Sequence, residues 1–171
     1  QVLVSIYTWV FRGTPLMLQL FIIYYGFPFV PIAGYKITLE PYVAATITFV
    51  INYTAYLVEI IRGGFESIDK GQHEAAKVLG YSYWQKTFYI ILPQAIRRVL
   101  PTLGNEAISL IKDTSLVYVL AVTEVMKRTK ELANTYYNVK PYVCAIIIYL
   151  ILSFCIDRIF KNLEKRNKVR L

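Results

Sequence analysis

The sequence predicts an all-α fold: a polytopic membrane helical bundle of about four transmembrane helices, with one polar segment in the cytoplasm. Three observations carry this. The 171 residues are 56% hydrophobic and only 18% charged, against about 45–50% apolar and about 25% charged in ordinary soluble domains. The runs 13–35, 41–58 and 141–156 hold no charged side chain. The basic residues lie between and after those runs, whereas a nucleic-acid reader spreads them over a polar face. The same composition argues against disorder. With two cysteines and a single histidine, it also argues against a disulfide scaffold, catalytic zinc or a histidine-based triad.

The elements follow in chain order. A bilayer crossing needs about 20 mostly apolar residues. The first span is expected at 14–27, alone or continuous with the apolar stretch 1–11, with Pro15 in its first turn and Gly26-Phe27-Pro28 at its end. Pro28, Pro31 and Gly34 make a short loop. The second span is expected at 41–62, stopped by Arg62-Gly63-Gly64. A polar, helical segment covers about 66–93, punctuated by Gly71, Gly80 and Pro93. The third span, 101–123, is apolar but interrupted by Asn105, Glu106, Ser109, Lys112 and Asp113. The fourth, 141–158, ends at Asp157-Arg158 and a basic tail. The whole chain, 1–171, reads as one membrane domain. It opens at Gln1 and shows no signal peptide, as an internal cut would.

Lysine and arginine bias sets the orientation. With Arg12, the 62–100 segment and the tail inside, thirteen basic residues face the cytoplasm and five face out. The outer five are Lys36, Lys127, Arg128, Lys130 and Lys140, so a basic cluster at 127–130 stands on the unexpected side. Tyrosines near the predicted outer ends, such as Tyr42, Tyr136 and Tyr142, suit an interfacial belt.

The third predicted helix holds the chemistry. At 100° per residue, Thr102, Asn105, Glu106, Ser109, Lys112 and Asp113 fall on one arc of about 120°. An ionisable group at mid-membrane costs roughly 2.5–3.5 kcal/mol, so such groups face a bundle interior or a wet cavity. Two readings stand: an internal Lys112–Asp113 pair with packing hydrogen bonds, or the wall of a solute pathway. The second helix carries a weaker stripe of Thr48, Asn52, Tyr56 and Glu59, of the kind that also bonds helix to helix. His73 reads as solvated or interfacial, and Cys144 and Cys155 as small buried hydrophobes. No glycine-rich phosphate loop follows a strand, so no nucleotide site is expected.

The polar segment reads Glu74-Ala75-Ala76, three residues, Gly80, nine residues, Ile90, one residue, Leu92-Pro93. This resembles the coupling signature of membrane subunits of ABC importers, and all seven positions match. Arg12-Gly13-Thr14-Pro15-Leu16 with Gln19, Glu59-Ile60-Ile61-Arg62-Gly63-Gly64, and Lys112-Asp113-Thr114-Ser115-Leu116 resemble stretches of the polar amino acid permeases in particular. The resemblance covers nearly the whole chain and implies the last four of five spans. It departs at Tyr7-Thr8-Trp9-Val10-Phe11, where the family often has an acid.

The resemblance implies a non-catalytic permease in a bacterial or archaeal cytoplasmic membrane. It implies four partners: cytoplasmic ATP-binding subunits that hold the ATP and Mg, a second permease, an extracytoplasmic solute-binding protein, and an amino acid. Glu74, Ala75, Ala76, Gly80, Leu92 and Pro93 would couple to the ATPase. Small Ala75 and Ala76 let a groove wall approach, Gly80 allows a sharp turn, and Leu92-Pro93 ends the second short helix. Asn52, Asn105, Ser109, Asp113, Thr114 and Ser115 would line the solute cavity. There Asp113 faces the ammonium group, and hydroxyls and main-chain N–H groups face the carboxylate. Two other classes fit part of the pattern: a membrane-embedded enzyme using Glu106 and Asp113 as acid and base, and a soluble helical bundle with a basic surface.

Overall fold

A computed structural model describes residues 2–30 and 38–167. Among these residues it is helical throughout, with no strand. The expected loop at Pro31 and Gly34, Lys36, and the end of the basic tail lie outside the described residues.

Helix α1 (Val2–Gly13) and helix α2 (Leu16–Phe21) are followed by a π turn, Ile22–Gly26, and a 3-10 turn, Phe27–Phe29. The two arms pass together as one apolar span but bend by 102°. The expected 14–27 span is therefore the second arm of a broken helix. Pro15 is the cause: it has no N–H, so it cannot bond the carbonyl four residues back, that of Phe11. It also drives the preceding residue out of helical conformation.

Helix α3 (Pro41–Glu66) and helix α8 (Lys140–Asn167) are each long and apolar enough to cross a bilayer. α3 runs past Gly63 and Gly64, so these glycines do not stop it. A Cβ on Gly64 would come within 2.1 Å of a Val99 methyl. The missing side chain thus permits close packing and does not mark an end.

Helix α4 (Lys70–Val78) and the short α5 (Tyr83–Gln85) enclose the turn at Gly80. A π turn, Lys86–Ile91, leads into helix α6 (Leu92–Asp113). Leu92-Pro93 therefore opens a helix where the sequence predicted an end. Pro93 sits in the first turn of α6, where its missing N–H is one the helix does not need. α6 also contains Pro101. It starts nine residues before the expected span and stops at Asp113, where a 3-10 turn, Thr114–Leu120, replaces it. The Thr114 hydroxyl bonds the Ile111 carbonyl at 2.6 Å, a local alternative to the α ladder. Helix α7 (Val125–Tyr136) precedes α8.

The chain divides into two compact units, Gln1–Tyr56 with Ser109–Ser153, and Leu57–Ile108 with Phe154–Leu171. In the first, Leu20, Ile23, Ala44, Ala45, Val117 and Leu120 are buried together. The second has a smaller core of Ile68, Ile91 and Ala95. It also has a close approach at Gly104, whose Cβ would stand 3.0 Å from Phe160.

Candidate functional site

In the first unit the polar side chains are organised around two places. One is the break at Pro15. The carbonyl of Phe11, orphaned by the proline, accepts from Gln19 Nε2 at 2.9 Å and from Asn52 Nδ2 at 3.0 Å. Gln19 also reaches the Thr14 carbonyl and hydroxyl at 3.1 and 2.7 Å, and its Oε1 accepts from Asn52 at 3.0 Å. Gln19 and Asn52 are both buried. A backbone carbonyl freed among buried groups must find a donor within the protein, and these two amides supply it. Thr48, fully buried, spends its hydroxyl on the Ala44 carbonyl at 2.7 Å.

The other place is the end of α6. Asp113 accepts from the Tyr53 hydroxyl at 2.8 Å. Tyr53 belongs to a ladder along α3: its ring stacks on Phe49 at 6.0 Å and lies 6.2 Å from Tyr56, and Arg12 sits 5.5 Å over the Tyr56 ring. Thr114 and Ser115 meet the hydroxyl of Tyr149. Tyr149 donates to Glu124 at 3.2 Å. Glu124 in turn accepts from the first N–H groups of α7, those of Met126 and Lys127. The structure thus joins Asp113 to an aromatic face and joins Thr114 and Ser115 to Tyr149. Ser109 is half-buried and Lys112 exposed in this unit, while Asn105 is exposed in the other. Tyr53 and the Tyr149–Glu124 pair escape a reading of the sequence, because the partners lie far along the chain. Gln19 had a local hint, four residues after the proline.

The second unit holds the elbow. Asp69 caps α4 by accepting from the Gly71 N–H at 2.6 Å. At the other end Gly80 adopts φ +75°, the Gly80 N–H bonds Lys77, and the Tyr81 N–H bonds Ala76 at 3.0 Å. This is a Schellman ending, whose left-handed residue is normally glycine. Ser82 and Gln85 then form a capping box for α5. Ala76 is buried inside the chain, whereas Glu74 and Ala75 face out. Around them Val78, Leu79, Tyr83 and Trp84 are all exposed. Ile90 and Leu92 are partly covered. The two cysteines, expected to be buried, are exposed, because α8 turns most of its apolar surface outward.

Apolar spans, buried polar side chains and an exposed, firmly capped elbow mark an integral membrane protein. The chain belongs to the family of binding-protein-dependent transport system inner membrane components, which matches residues 1–169. It is a transmembrane translocation subunit. It is 40% identical over 161 residues to the glutamine transport system permease protein GlnP of Escherichia coli (strain K12), covering 94% of this chain and 72% of that one. It is equally identical over 163 residues to the arginine transport system permease protein ArtQ of Bacillus subtilis (strain 168), covering 95% and 73%. Over 164 residues the L-cystine transport system permease protein TcyB of the same strain is again 40% identical, covering 95% and 68%. Among solved structures it is similar to a crystal structure of an amino acid ABC transporter with histidines. That likeness has a TM-score of 0.84 and 33% identity, over 95% of this chain and 74% of the other. The membrane-embedded enzyme and the soluble bundle find no support in these likenesses.

Proposed function

We propose that the chain is the permease subunit of an importer of polar amino acids in a bacterial or archaeal cytoplasmic membrane. In this reading it works with a second permease, two cytoplasmic ATP-binding subunits that hold ATP and Mg, and an extracytoplasmic solute-binding protein. The observation that carries the reading is the elbow. Seven residues at the coupling spacing build a knob whose Glu74 and Ala75 face out and whose shape is held by Gly80 and two caps. Glu74 presents a carboxylate to a basic or amide group of the ATPase, and Ala75 lets its groove close in. Ala76 seats the knob on its own core. Leu92 and Pro93 start the helix that carries the motion onward. ATP binding draws the elbows of two permeases together and turns the pathway outward; hydrolysis resets it.

In the pathway, Asp113 faces the ammonium group of the solute, and Ser109, Thr114 and Ser115 face its carboxylate, with Asn105 on the same helix stripe. Asn52 supports this wall from behind through its bonds to Phe11 and Gln19. The names of the relatives, which span glutamine, arginine and L-cystine, support an amino acid and leave its side chain open. The test is reconstitution with an ATP-binding subunit and a solute-binding protein in vesicles. Amino acid uptake driven by ATP is expected. In Gly80→Leu, hydrolysis and uptake should part company or the ATPase should be released. Unchanged transport and unchanged ATPase stimulation would overturn the coupling role.

A further inference from the structure

The basic cluster on the outer side, left over from the orientation count, borders a cavity in the first unit. The cavity holds about 510 Å³, within the roughly 300–1,000 Å³ of small-ligand sites. One wall is α7, through Val125 and Leu132. The other is the start of α8, through Cys144, Ala145 and Ile148. Lys140 and Arg128 stand among its lining. Glu124 lines it too, but its oxygens are taken by two N–H groups of α7 and by Tyr149. Thr129 spends its hydroxyl on the Val125 carbonyl. Apart from the Thr123 hydroxyl, the cavity therefore offers apolar walls and cations.

The outer cations are not equivalent. Lys127 bonds the Ala121 carbonyl at 2.6 Å, and Lys130 lies 5.1 Å over the Tyr118 ring. Lys140 has no ion pair among the described residues. Arg128 has only an exposed pair with Glu131 at 2.9 Å, of a kind worth little. Lys140 opens a membrane span, at the depth where headgroups lie. From there to Ile148 the helix face runs about 12 Å into the hydrocarbon. The surface beside it, through Val143, Ile146 and Ile147, is exposed and wholly apolar, as a face that meets lipid tails would be.

We infer that this cavity holds one anionic phospholipid, its phosphate between Arg128 and Lys140 and an acyl chain along Leu132, Cys144, Ala145 and Ile148. The inference needs α8 to cross a membrane. It does not need the amino acid reading, because lipid binding is measured without transport.

Cys144 lines the cavity and Cys155 does not, yet both thiols are free and exposed. The experiment follows maleimide labelling of each thiol by mass spectrometry, with the purified chain in detergent. Phosphatidylglycerol should protect Cys144 at an about tenfold lower concentration than phosphatidylcholine with the same acyl chains. Cys155 should not distinguish the two lipids. The R128Q/K140Q variant should erase the headgroup preference at Cys144. Equal protection by both lipids in the native chain would overturn the inference. So would a preference that survives in the double variant, even if that variant had lost stimulation by a solute-binding protein, which would assign the two cations to a protein partner.

Discussion

The helix break at Pro15 and the turn at Gly80 solve the same problem in opposite ways. Each interrupts a helix and strands backbone groups. At Pro15 the stranded Phe11 carbonyl is met by two buried side-chain amides, one of them Asn52, 33 residues beyond Gln19 in sequence. At Gly80 the turn closes on itself through a left-handed glycine, backbone bonds to Ala76 and Lys77, and the Ser82–Gln85 capping box. The difference follows from burial. Gln19 and Asn52 are buried, so the carbonyl at the break is served from inside the protein and distant residues must be recruited. Around Gly80 the surface is exposed, and local backbone geometry is enough.

The comparison can be broken. Gln19→Leu removes four hydrogen bonds, three that Gln19 donates and one that it accepts from Asn52, and leaves buried acceptors with fewer donors. The expected loss is about 3 kcal/mol, seen as a lower unfolding temperature in detergent. Adding Asn52→Leu should cost clearly less than Asn52→Leu alone, because both amides serve the Phe11 carbonyl. Strict additivity would show the break is not a shared device. Next in size is Gly80→Leu, where a left-handed backbone costs a branched residue about 1–2 kcal/mol. No atom would stand within 4 Å of the new Cβ, so the chain should stay folded, and circular dichroism should remain helical. Gly80→Asn should recover most of the loss. Tyr53→Phe removes the hydroxyl that donates to Asp113, for about 1 kcal/mol. Asp113→Asn keeps that partner and removes the charge. It should therefore change solute preference with little change in unfolding temperature, and unaltered uptake kinetics would remove Asp113 from the pathway. The smallest effect belongs to Ser82→Ala, about 0.5–1 kcal/mol from a lost cap, read by hydrogen exchange at α5 alone.

The elbow was legible almost entirely. Gly80 stood out locally as a break in the polar segment, while Ala75 and Ala76 were singled out by the resemblance to the coupling signature; the structure places all three at the turn. Two punctuation marks were misread. Gly63 and Gly64 looked like a stop, but Gly64 exists to admit Val99. Pro93 looked like an end, but it sits in the first turn of α6, where its missing N–H is not needed. A small residue or a proline states a local constraint without saying whether a neighbour or a helix start satisfies it. The polar stripe on α6 was also legible as periodicity. Its partners were not: Tyr53 meets Asp113 across 60 residues.

By itself, then, the sequence determined the helical class, the apolar runs, the polar arc and the glycine turn of the polar segment, since each is written in hydropathy or in the conformational limits of glycine and proline. Only the tertiary structure decided that Gln19 and Asn52 close the break, that Tyr53 holds Asp113, and that Arg128 and Lys140 share a cavity. Those facts depend on which distant donors and cations packing brings within reach, and nothing in a neighbouring stretch of chain carries that information.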